Sequence, residues 1–98
     1  MLTYSIQLNR GGLARFQFTV PAKEAGIVGD YKDGKPYQPD FGTVFENLPT
    51  KYRKAFARAM TWWQHDGISG RNVPLMCVLY SAKGENMGTL FATPNWEA

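Results

Sequence analysis

Apolar and polar residues alternate strictly from Leu2 to Leu8: Leu2, Tyr4, Ile6 and Leu8 take one side, and Thr3, Ser5 and Gln7 the other. A period of two marks a half-buried strand. Asn9, Arg10, Gly11 and Gly12 interrupt it with residues that tolerate positive φ. The alternation resumes from Leu13 to Val20, with Phe16, Phe18 and Val20 inward and Arg15, Gln17 and Thr19 outward. Two such runs about a Gly-rich turn predict a β-hairpin, which Pro21 is expected to end. The period then changes. Counting from Tyr52, the residues Ala55, Phe56, Ala59, Met60 and Trp63 fall at offsets 3, 4, 7, 8 and 11. That is one stripe of a 3.6-residue helix. The helix is expected over residues 49–67, capped by Asn47 or Thr50, with Pro49 in its first turn and Gly67 and Ile68 closing its end.

Residues 73–80, VPLMCVLY, form a nearly continuous apolar run. It predicts a central strand covered on at least one face, with Pro74 at its start. Residues 87–93 read as a further strand, weakened by Gly88 and ended by Pro94, after which Trp96 is expected to fold back onto the sheet. The order β-β-α-β-β predicts an α+β domain: an antiparallel sheet of about four strands packed against one amphipathic helix, with a long irregular connection before the helix. Strand order is not legible at this level.

The connection holds Gly26, Gly29, Gly34 and Gly42 together with Pro36 and Pro39. Asp33-Gly34 is a two-residue turn signal that would bring Tyr31 and Tyr37 together. Residues 21–26 have room for one helical turn, and Thr43 with Glu46 has capping-box spacing for a short turn of helix before the main one. Long irregular connections are often functional. Tyr31, Tyr37 and Phe41 therefore form a candidate surface. The competing reading is that these rings seal the edge of the core.

Composition narrows the class. The chain has 98 residues, 44% hydrophobic and 14% aromatic, which suits one globular domain over residues 1–98. Net charge is +3, weak for a dedicated DNA binder, but it is uneven: residues 21–49 sum to −2 and residues 50–65 to +4. The single cysteine, Cys77, excludes an internal disulfide and reads as a small buried hydrophobe. No leader-like N-terminus and no long apolar run is present, so a cytoplasmic protein without a membrane span is expected.

No constellation fixes a reaction. A lone His65 beside Asp66 suits a helix end better than catalysis, and one His with one Cys builds no ordinary zinc site. Asp30 and Asp33 lack calcium-loop spacing, and the Asn9–Gly12 turn lacks the lysine of a phosphate loop. No catalytic residue, metal or cofactor is expected. The sharpest feature is the polar side of the helix, with Lys51, Arg53, Lys54 and Arg58 and no acid. Cations in a first turn oppose the helix dipole, at about 0.3–1 kcal/mol each, and such local conflicts tend to mark sites. The plainer reading is that these cations are solvated or pair with the acidic connection. Trp62 lies beside the apolar stripe and either joins the site or packs under a loop.

In general character, with one helix, short strands and no catalytic signature, the chain resembles small proteins encoded by phages and mobile elements. Some of these block host defence complexes by direct contact; the likeness rests on no particular residues. The expected function is non-enzymatic binding, by occlusion or inhibition, of an acidic protein surface or nucleoprotein complex through Lys51, Arg53, Lys54, Arg58 and Trp62. Tyr31 and Tyr37 would add apolar contact. The alternatives are a nucleic-acid binder using the same cations and a small enzyme or enzyme subunit.

Overall fold

A computed structural model describes residues 2–24, 37–65 and 75–96, with the backbone alone for residues 60–65, 75 and 96. The strands are β1 (Leu2–Arg10), β2 (Leu13–Glu24), β3 (Tyr37–Pro39), β4 (Leu75–Tyr80) and β5 (Asn86–Trp96). Two helices, α1 (Phe41–Asn47) and α2 (Thr50–His65), lie between β3 and β4. The fold is α+β: a curled antiparallel sheet of five strands in the order β3-β2-β1-β5-β4. The expected four strands and single long helix are thus extended by β3 and α1.

The first hairpin forms as its alternation requires. Leu2, Tyr4, Ile6 and Leu8 are buried and Thr3, Ser5 and Gln7 are half-buried on the other face. Gly11 and Gly12 have φ of 61° and 78°. Positive φ at both central residues matches the twist of a two-residue hairpin. Leu8 pairs with Phe16 and Asn9 with Ala14, so Arg15 is an extra residue in a bulge, which sharpens the local twist.

Pro21 does not end β2. It pairs with Thr3, and the strand continues to Glu24, exchanging β1 for β3 as its neighbour. The Pro21 carbonyl accepts from the Asp40 N–H at 2.9 Å. Backbone N and O of one strand residue point to the same side, so the missing N–H faces away from β1 and breaks no bond of that ladder. The helical turn expected at residues 21–26 is excluded over residues 21–24 for the same reason. Pro94 likewise does not end β5, since it pairs with Tyr4 and the strand runs to Trp96. β4 reaches only as far as Ala92, so beyond it no described strand needs a donor from the outer side of β5. The apolar run at residues 75–80 is an edge strand rather than the expected central one.

Asp40 caps α1, its Oδ1 accepting from the Thr43 N–H at 3.4 Å. The short helix is as expected, but the cap sits three residues before Thr43. Neither expected cap serves α2: Asn47 closes α1, donating its side-chain amide to the Thr43 carbonyl at 2.8 Å, and Thr50 is already helical. Pro49 precedes α2 and its carbonyl accepts from the Tyr52 N–H at 2.9 Å. Of the predicted stripe, Tyr52, Ala55 and Phe56 are buried and Ala59 half-buried. The Met60 and Trp63 side chains lie outside the described residues, as do the Gly67 and Ile68 closure, Pro74 and the Asp33-Gly34 turn.

Phe41, Val44 and Leu48 join the stripe against Tyr4, Ile6, Leu8, Leu79 and Leu90 to form one core. Tyr4, fully buried, reaches across β2 to donate its hydroxyl to the Tyr37 carbonyl at 3.2 Å. Burial pushes its phenol from the ordinary 10.0 up to about 12. The unfolded chain therefore releases this proton first, and stability should fall as the pH rises from 10.0 to about 12. Urea unfolding across that range should show the fall, and Tyr4→Phe should remove this tyrosine's share of it.

Candidate functional site

α2 follows directly on α1, and this juncture sorts the four cations. At about 100° per residue, Lys51, Lys54 and Arg58 fall within about 60° of one another, while Arg53 lies on the far side of the helix. Arg53 is half-buried. Its Nε donates to the Leu48 carbonyl and its guanidinium to the Glu46 carbonyl, both at 3.1 Å, with the group 5.6 Å from the Phe45 ring centre. These carbonyls belong to the C-terminal end of α1, where a cation is favourable. For Arg53 the apparent conflict with the dipole of α2 is therefore resolved by α1, the end of which it caps.

Lys51, Lys54 and Arg58 are exposed. Lys51 Nζ stands 5.1 Å from the Tyr52 ring centre. Arg58 donates to the Tyr80 carbonyl at 2.6 Å, tying α2 to β4. Among the described residues, no carboxylate pairs with any of the four cations; the arginines' partners are backbone carbonyls. Trp62 continues the line of Lys51, Lys54 and Arg58 by one helical turn; its side chain lies outside the described residues.

The second candidate surface divides. Phe41 is buried in the core, and Tyr37 is half-buried against it. Their rings seal the core, as the plainer reading had it. Tyr31 lies outside the described residues.

Among the described residues, open grooves lie on both flanks of α2. One of about 230 Å³ separates it from β4 and is lined by Ala55, Arg58, Ala59, Cys77, Val78 and Tyr80. Cys77 there is half-buried. The other, of about 410 Å³, lies on the opposite flank, where Ala57 faces Lys23, Asp40, Phe41, Phe45 and Glu46. It is the larger, but its charges are mixed and Asp40 is already engaged as a cap. Among the described residues, no group of three or more His, Cys, Asp or Glu side chains is placed to hold a metal, and no helix is long and apolar enough to cross a membrane.

Sequence reasoning passed over Leu13, 62% exposed, and Tyr80, 51% exposed. Leu13 falls on the same parity as the outward Arg15, Gln17 and Thr19, and the edge position of Tyr80 depends on strand order. Fold and surface define a small α+β domain with one cationic helix flank. No family model, curated protein or solved structure matches the chain.

Proposed function

We propose that this chain is a non-enzymatic binding protein that docks the Lys51, Lys54 and Arg58 flank of α2 onto an acidic protein surface and acts by occluding it. Trp62 is proposed at the margin of the contact, since position 62 extends the same line along the helix. Arg53 holds α1 against α2 and so presents the flank without belonging to it. The observation that carries the reading is the exposure of Lys51, Lys54 and Arg58 with no carboxylate partner among the described residues. Exposed cations keep their hydration and mobility until a partner arrives, and complementary charge then raises the association rate.

Lys51→Glu with Lys54→Glu tests this, because neither side chain holds backbone in place. Each exposed pair contributes roughly 0.2–1 kcal/mol, so reversing two charges should weaken a complex by about tenfold or more. The measurement is affinity capture from a native lysate with and without nuclease, followed by titration of the protein captured. Equal affinity of the variant for that protein would remove the proposal. A partner lost on nuclease treatment would move the same flank to nucleic acid.

A further inference from the structure

Strand order gathers charge that sequence order disperses. Asn9 pairs with Thr89, Val78 also pairs with Thr89, and Tyr80 pairs with Asn86. The Gly11–Gly12 turn and the turn at residues 81–85 therefore share one end of the sheet. α2 lies across the strands: its Tyr52 ring is 5.6 Å from that of Phe16 on β2, and its Ala59 shares a groove with Cys77 on β4. Phe16, Leu8, Leu90 and Cys77 are successive partners across that row. The Arg53 and Ala57 flank of α2 faces α1 and Lys23. The Lys51, Lys54 and Arg58 flank must then face the turn end, as the Arg58 bond to Tyr80 requires.

Among the described residues that end carries Arg10, Arg15, Lys51, Lys54, Arg58 and Lys83, all exposed, against the single carboxylate of Glu85. The opposite end sets Glu24, Asp40 and Glu46 beside Lys23 and Arg53. The basic end is also not purely polar. Leu13 stands 62% exposed beside Arg10, its strand partner.

Resting on the function proposed above, we infer that the docking surface spans this whole end, with Leu13 as an apolar anchor inside a cationic rim, and that its occupant is a protein segment bearing apolar side chains flanked by carboxylates. Apolar anchors ringed by charge are the anatomy of a protein interface. A phosphate backbone offers Leu13 nothing to bury. A second copy presenting the same end would set cations against cations.

The probes are a labelled peptide with leucine and phenylalanine flanked by glutamates, the same peptide with serine at the apolar positions, and mixed-sequence duplex DNA. Each is titrated at physiological salt by fluorescence anisotropy. Leu13 and Arg10 are exposed, so Leu13→Asp and Arg10→Glu should fold normally, which thermal melts check. The expected result is binding of the apolar peptide, about tenfold weaker binding of its serine form, and severalfold weakening by each variant. If Lys51→Glu with Lys54→Glu abolishes binding while Leu13→Asp and Arg10→Glu leave it unchanged, the extended surface is wrong and the helix flank stands alone. If none of the variants changes it, both readings fall. Tighter binding of DNA than of either peptide, or no binding of any probe, overturns the protein occupant.

Discussion

Phe56→Ala should remove a large share of the chain's stability. Phe56 is 1% exposed at the centre of the stripe that α2 lays on the sheet, its ring 6.1 Å from that of Phe41. Truncating a buried phenylalanine costs about 3–5 kcal/mol, part lost transfer energy and part cavity. A small domain has about 5–15 kcal/mol in all. The loss here falls where two helices and the sheet meet, so little can collapse into the space. The melting temperature should drop by on the order of 20 °C, and the urea midpoint should fall without a change of slope. Phe56→Leu, which keeps most of the volume, should cost less than about 1.5 kcal/mol. Equal losses in the two variants would mean that Phe56 matters for something other than filling this space.

The residues carrying most of this core were legible because each obeys a single local period. Leu2, Tyr4, Ile6 and Leu8 repeat at two, and Tyr52, Ala55 and Phe56 at the helical spacing, and no tertiary contact overrides either pattern. Misreadings cluster where a residue's effect depends on its neighbour. A proline breaks a strand only if its N–H is owed to another strand, and at Pro21 and Pro94 the geometry owes nothing on the side concerned. The uncharged run at β4 reads as central because burial and edge position leave the same composition until the order of strands is known.

The cationic surface was half legible for a related reason. Lys51, Arg53, Lys54 and Arg58 stand out in the sequence as a cluster without acids, yet sequence spacing alone does not show which helix end a long side chain serves. Arg53 belongs by number to the start of α2 and by hydrogen bonding to the end of α1. Arg10 in its turn, Arg15 on the outward side of its strand and Lys83 are scattered along the sequence. Antiparallel pairing of β5 with β1 and β4 puts them at one end.

Gly88→Ala is the second large effect expected, from a position that local reasoning scored as a weakness. Gly88 follows Met87, the extra residue where β5 is bulged against β4, and its N–H donates to the Asn86 side-chain carbonyl at 2.8 Å. Its φ is 122°, and a Cβ there would stand 2.9 Å from the Asn9 carbonyl oxygen and 3.3 Å from Leu8 Cδ1. Backbone of this kind costs a residue with a side chain about 1–3 kcal/mol. Overlap with a backbone oxygen in a paired strand adds a similar amount, because β1 cannot move without releasing its ladder on both sides. The sum, on the order of 4 kcal/mol, rivals loss of the core phenylalanine. Gly12→Ala is the control: its φ of 78° is also strained, but a Cβ there meets nothing within 4 Å, so only about 1–2 kcal/mol should be lost. Chemical unfolding of both variants separates strain from overlap. If Gly88→Ala costs no more than Gly12→Ala, the close approach of β5 to Asn9 is not what requires glycine there.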